Sequence, residues 1–338
     1  MMRNKVLFFL LSLFVVVNAQ SLSSLLQGKC GKELKLTIAE SCKPQKYVSS
    51  LTGVGGAWEA FRATDNINGC VLDRYSTEKR SFSADGVSPS TGMTVDCIVN
   101  VSWWGENHDY GDAIAFDLYN LIPCDDDVTM HKKDYPPGDV LVATYDNGVW
   151  QAGYGEIAET EVNMYEPADE YKGDFARSIM YVMTIYPASR WSGLGVNLCA
   201  DNNYPTLNKY AQRVLLAWHR ADPVSEIERT RNNEVEKIQG NRNPFVDFPQ
   251  LVEHVWGTES ENPFEADVER VPLKSTYRLS DERIDLLHDA IPEDVSWTID
   301  GVEVTENYLI PAELGVGEHE LKFSGQTIKG KLKIKIVE

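Results

Sequence analysis

One tract near the middle of the chain restricts its fold more than any other: WHRADPVSEIERTRNNEVEKIQGNRNPFVDFPQLVEHVWG, Trp218 to Gly257. Its punctuation sets where helices begin and end. Asp222-Pro223 predicts an N-cap followed by Pro at the first helical position, where a missing N–H costs nothing. The helix that follows carries Val224, Ile227, Val235 and Ile238 and should end near Gly240, with Pro244 just beyond. QGNRNPF, Gln239 to Phe245, gathers Gly, two Asn and Pro and shapes a tight helix exit, with Arg242 tying polar groups together.

Helical periodicity extends upstream. Phe175, Ile179, Val182, Met183 and Tyr186 share one face of an amphipathic helix that Pro187 stops, and acidic residues from Asp169 to Asp174 suit its N-terminal dipole. A further helix holds Leu207, Val214, Leu215 and Trp218. Residues 25–62 also read as helical, through LKLTIAE and the stretch around Tyr47 and Val48. TVDCIVNVSWW, Thr94 to Trp104, is β-branched and aromatic and predicts a strand running into a loop. VLDRYS suggests a short strand, and Asp112 to Leu121 and Asp127 to Lys133 suggest short helices separated by Pro123.

The pattern changes after TESENPFEADVERV, an acidic stretch that reads as a linker. From Val295 onward it becomes β: in TIKGKLKIKIV, Leu332, Ile334 and Ile336 alternate with lysines, while Gly301 and Gly315-Val316-Gly317 sit where turns should. The expected class is α+β, with a mostly helical domain over 20–258. A linker and a small all-β module of immunoglobulin-like type, accessory or anchoring in role, follow over 259–338.

The first residues form a secretory leader. Met1-Met2-Arg3-Asn4-Lys5 is basic, Val6 to Val17 is apolar, and Asn18-Ala19 offers a cleavage point, so 1–19 reads as a signal peptide. The run is too short to span a bilayer, and nothing later is long enough. The expected mature protein is exported, without a transmembrane segment, and monomeric. Six cysteines in an exported chain permit disulfides, in any of fifteen pairings, and their spacing is not that of a zinc site. The net charge of −19, more negative still once Arg3 and Lys5 leave, has the wrong sign for blanket electrostatic binding of nucleic acid.

WEAFRATDNINGCVLDRYS, SWWG (Ser102 to Gly105), DLYNLIP (Asp117 to Pro123), YKGDFARSIMYVMTIY and the tract from Trp218 together resemble the endonuclease I family of secreted nucleases, over roughly 25–257. The resemblance implies a mostly helical domain around a ββα-metal finger, with DNA or RNA as partner and Mg²⁺ or Ca²⁺ as cofactor. It implies phosphodiester hydrolysis by a neutral His base and a divalent metal on oxygen ligands. Counting back from Ser102 places Asp96 on the family's Glu and Cys97 on its His, while the family's Asn ligand falls on Thr129 and a frequent His falls on Tyr119. A carboxylate survives at Asp96, one methylene shorter. Cys97 is no substitute base, and either packs as a small apolar residue or joins a disulfide, for instance with Cys124.

Compensating groups are at hand. Asp125, Asp126 and Asp127 could recruit a metal, and His108 and His131 could supply a base; the bland reading is a solvated helix start and surface histidines. Arg177, Arg220 and Arg242, with Arg229 and Arg231, could grip phosphate, although Glu226 and Glu228 neutralise them locally. No P-loop, GxSxG, HExxH or dinucleotide fingerprint occurs. The leading expectation is a secreted nuclease with a rearranged site. Its competitor is a catalytically silent descendant acting as an extracellular binding or surface protein, attached to the cell surface through the C-terminal module.

Overall fold

The helix Lys172–Ile185 lies at the centre of the main hydrophobic core, packed against the helices Gly31–Ser41, Lys209–Ala221 and Pro244–Asp247. Here, and throughout, the computed structural model describes residues 22–104, 111–187, 190–265, 273, 276–286, 295–325 and 329–338. The leader over 1–19 and His108 lie outside the described residues. Phe175, Ile179, Val182 and Met183 are buried as their spacing predicts, and so are Ala176, Met180 and Tyr181 from the remaining faces. Each such apolar side chain contributes about 1.5–3 kcal/mol when removed from water.

The tract from Trp218 is helical, but its punctuation works differently from expectation. Asp222 closes the helix Lys209–Ala221, and its carboxylate accepts the Gly173 N–H at 2.8 Å. The next helix, Glu226–Gln239, is capped instead by Ser225, whose hydroxyl accepts the Glu228 N–H at 3.1 Å. It ends at Gly240 with φ +80°, as the left-handed glycine stop requires. Val224 therefore precedes the helix and Ile227 is exposed; Glu228, Arg231, Asn232, Val235 and Gln239 form the buried face. The apolar pattern misreads this helix because most of the residues it buries are polar and paired.

Between the helices Gly31–Ser41 and Ala57–Thr64 the stretch around Tyr47 and Val48 is loop and turn, not helix. The strands Met93–Cys97 and Leu121–Asp125 form an antiparallel pair, with Asp96 opposite Ile122 and Cys97 opposite Leu121, followed at once by the short helix Asp127–His131. The helix expected over Asp112 to Leu121 is a 3₁₀ segment, Gly111–Phe116, that gives way to the second strand. A three-stranded meander, Val142–Asp146, Gln151–Ile157 and Thr160–Glu166, was not foreseen. Its second turn uses Ala158 and Glu159, both at positive φ, rather than an Asn-Gly pair that would announce a hairpin.

The C-terminal region is sheet-rich around its own core of Tyr277, Trp297, Leu321, Phe323, Ile334 and Ile336. Four strands, Val302–Val304, Ser296–Ile299, Gly317–Ser324 and Lys329–Val337, pair antiparallel in that order, and Thr276–Arg278 adds a parallel edge. A two-stranded ribbon, Ile284–Asp285 with Tyr308–Leu309, completes it. Part of the expected linker belongs to the first core. Phe264 is fully buried there, and its backbone N–H donates to Lys29 O at 2.7 Å.

Candidate functional site

Asp96 lies on the face of the strand pair that turns toward the core, and both its oxygens are taken. The Lys132 ammonium donates to Oδ1 at 2.9 Å and the Tyr75 hydroxyl to Oδ2 at 2.7 Å. Lys132 follows the helix Asp127–His131 as its C-cap, and its N–H donates to Val128 O. That position turns the side chain inward, where it is 1% exposed and lies 4.6 Å from the ring centroid of Tyr165. Tyr75 packs edge-on against Trp150 and Phe175, with centroids 5.3 and 5.4 Å away. Burial, then the Asp96 charge, pushes the Tyr75 hydroxyl well above its ordinary value, so it remains a donor.

Cys97 points to the opposite face of the pair, because side chains alternate along a strand. Burial, then the neighbouring Asp96 charge, pushes its thiol up to about 12. It is neutral at physiological pH and takes no proton. Cys124 shares the Asp96 face, so a Cys97–Cys124 bridge across the pair is excluded, and all six cysteines are free thiols. None of the disulfides that six cysteines permit joins them.

Thr129 is exposed and donates its hydroxyl to Asp126 O at 2.8 Å. Asp127 and His131, one helical turn apart, both neighbour Tyr145: His131 stacks on its ring at 3.8 Å, and Asp127 lines a cleft of about 580 Å³ with Asp125, Tyr145, Asn147 and Trp150. Asp125 is not free. It pairs with Arg80 and accepts the Asp127 N–H at 2.9 Å. Among the described residues no group of three or more His, Cys, Asp or Glu could hold a metal ion.

Arg177, Arg220, Arg231 and Arg242 are each held by a carboxylate. Arg177 is fully buried and grips Glu228 through two bonds of 2.7 Å. A further donor reaches Asp222 O at 2.8 Å, which Gly173 permits, since a Cβ there would lie 2.0 Å from that oxygen. Arg242 holds Asp247 through two bonds of 2.7 Å and Glu236 at 2.6 Å. Arg220, half-exposed, is held by Glu253 at 2.7 and 2.8 Å. Arg231 and Arg74 converge on Asp65. Burial alone would raise that carboxyl, but Arg231 and Arg74 more than offset it and hold it below its ordinary value.

A divalent ion does not fit the inherited positions. Mg²⁺ and Ca²⁺ take six or more oxygens, whereas Asp96 has no oxygen without a partner and the Thr129 hydroxyl is turned to the backbone. Lys132 and Tyr75 are the residues that sequence reasoning missed. One signal was present: Lys132 is four residues after the buried Val128, which puts it on the inward face of that short helix.

Comparison with known proteins agrees with this architecture. The family model for Endonuclease I matches residues 31–250. The extracellular ribonuclease of Bacillus subtilis (strain 168) is 29% identical over 249 residues, covering 68% of this chain and 76% of the relative. That of Bacillus amyloliquefaciens is 29% identical over 240 residues, with 68% and 75% covered. Endonuclease-1 of Buchnera aphidicola subsp. Baizongia pistaciae is 24% identical over 143 residues, with 41% and 49% covered. Family and relatives together support a nuclease. The match spans more than half of the sequence, and the chain belongs to the Endonuclease I family.

Proposed function

We propose that this protein is a secreted nuclease of the Endonuclease I family, cleaving phosphodiester bonds of nucleic acid outside the cytoplasm. The observation that carries the reading is the family match over residues 31–250, which spans the strand–strand–helix unit and the helical tract together. Two relatives bear the name extracellular ribonuclease, which makes RNA the first substrate to try and supports export through a leader ending near Ala19. No helix among the described residues is long and apolar enough to cross a membrane. The acting domain reaches at least to Phe264, which is buried in its core, and the immunoglobulin-like C-terminal module serves as a surface attachment.

Cleavage does not run through a metal held by Asp96 and Thr129. The cleft lined by Asp127 and Tyr145 is the open ground next to the short helix, and His131, stacked on Tyr145, is the base we assign to it. A second reading, a silent member of the family that works by binding, is favoured by one arrangement: Asp96 closed by Lys132 and Tyr75, with a neutral thiol at Cys97. Loss of a general base removes a factor on the order of 10²–10⁴ in rate.

The deciding experiment incubates the purified mature chain with RNA and with plasmid DNA, in Mg²⁺, in Ca²⁺ and in EDTA, beside Cys97→His and His131→Ala. Cleavage by the native chain that His131→Ala abolishes supports the nuclease. No cleavage under any condition decides for the silent protein, and cleavage by Cys97→His alone identifies a scaffold silenced at that position.

A further inference from the structure

We propose that Lys132 occupies, with its own ammonium, the cation position of the strand–strand–helix unit, so that Asp96 belongs to a closed internal ion pair and takes no divalent metal. The inference rests on the family reading of Asp96 as the inherited metal ligand. Its geometry stands on its own. Asp96 offers two oxygens, and each is met by a donor at ordinary hydrogen-bond length, one cationic and one neutral. Carboxylate and ammonium cancel, so the pair presents no net charge to an entering ion.

The surroundings close the position from several elements. Lys132 arrives from the end of the short helix, Tyr165 from the last meander strand, and Tyr75 from the loop after Asp73. The Lys132 ammonium lies over the Tyr165 ring, a cation–π arrangement that favours a monovalent organic cation in a desolvated setting. The buried Tyr165 hydroxyl has no hydrogen-bond partner among the described residues. While Lys132 and Tyr75 hold the two Asp96 oxygens, that one neutral oxygen is far short of the set that a divalent ion needs. A metal could enter only by expelling an ammonium that is almost wholly buried, or by stripping the Tyr75 donor from the carboxylate.

The substitution has a chemical consequence. A lysine ammonium carries no coordinated water, so it cannot lower a water's pKa to make a nucleophile as a divalent metal does. Replacing it with a neutral chain of similar length leaves Asp96 as an uncompensated carboxylate in a buried place. A divalent cation then has a reason to bind there.

The test is calorimetric titration of Mn²⁺ and Ca²⁺ into the full mature chain, with thermal unfolding alongside, for the wild type, Asp96→Asn, Lys132→Met and Lys132→Met/Asp96→Asn. The expected result is the same isotherm for the wild type and Asp96→Asn, since exposed carboxylates bind weakly in both. Lys132→Met should gain a binding event at least about tenfold tighter. Its Tm should rise by roughly 3 °C or more at millimolar Mn²⁺, and the double variant should lose both effects. Wild-type binding that Asp96→Asn weakens tenfold would overturn the proposal, as would Lys132→Met showing no metal-specific gain. If Lys132→Met cannot be purified, the wild type against Asp96→Asn decides alone. None of these readouts involves cleavage, so the nuclease reading and this one can fail independently.

Discussion

Two of the buried charge assemblies in the first core differ in kind. In the helical half, Arg74, Arg177 and Arg231 meet Asp65, Asp174 and Glu228 in a network that ties the helices Lys172–Ile185 and Glu226–Gln239 to the segment around Asp65. In the strand–strand–helix unit the pair of Asp96 with Lys132 is sealed by tyrosines. The network draws on several of the tracts that carry the family resemblance, and the pair includes Asp96, a position to which the family's chemistry maps. The difference teaches that the recognisable tract is scaffold. Arg231 and Arg242 are held by carboxylates inside the protein and Arg220 by one at its rim, so much of the family's recognisable sequence lies in the part that holds the molecule together.

The largest expected effect tests the network. Arg177→Met leaves Glu228 buried without its cation and should cost about 3–5 kcal/mol in urea unfolding; a loss under about 1 kcal/mol would show that the network is not what holds these helices. Lys132→Met should cost about 3 kcal/mol without added metal, less than Arg177→Met, because Tyr75 still satisfies one oxygen of Asp96. An equal or larger cost would erase the distinction between the two assemblies.

A smaller effect is read through pH. Burial, aided by Arg177, pushes His219 down to about 4 from an ordinary value of 6.5. The unfolded chain then binds more protons than the folded one between those values. Stability contributed by neutral His219 is complete above about pH 6.5 and is lost as pH falls toward 4. His219→Gln should flatten that slope in unfolding measured from pH 7 to pH 4, and an unchanged slope would remove His219 from the network's account. The smallest effect is expected at the rim. Arg220→Ala breaks a half-exposed pair with Glu253 and should cost less than about 1 kcal/mol. A larger loss in the same urea assay would mean that the buried assembly extends to the surface.

The sequence alone carried the helices whose buried faces are apolar. Phe175, Ile179, Val182 and Met183 announced theirs because the hydrophobic effect writes a 3.6-residue period wherever a helix covers a core. The strand before Trp103 and the alternating C-terminal strands were readable for the equivalent period of two. The family assignment also came from the sequence, through tracts whose order survives. Glu226–Gln239 was misphased because its buried face is polar, and the Ala158–Glu159 hairpin carries no glycine to announce it.

Tertiary structure alone decided the state of the site. Cys97 and Cys124 stand apart because pairing register puts them on opposite faces, which no spacing along the chain could reveal. Asp96 is a free metal ligand by type and a closed ion pair by position, since Tyr75 and Lys132 reach it only after the loop and the short helix fold over the strands. Periodicity records what each segment presents to the core. Which charge meets which partner there depends on groups far apart in sequence, and only the folded chain brings them within hydrogen-bond reach.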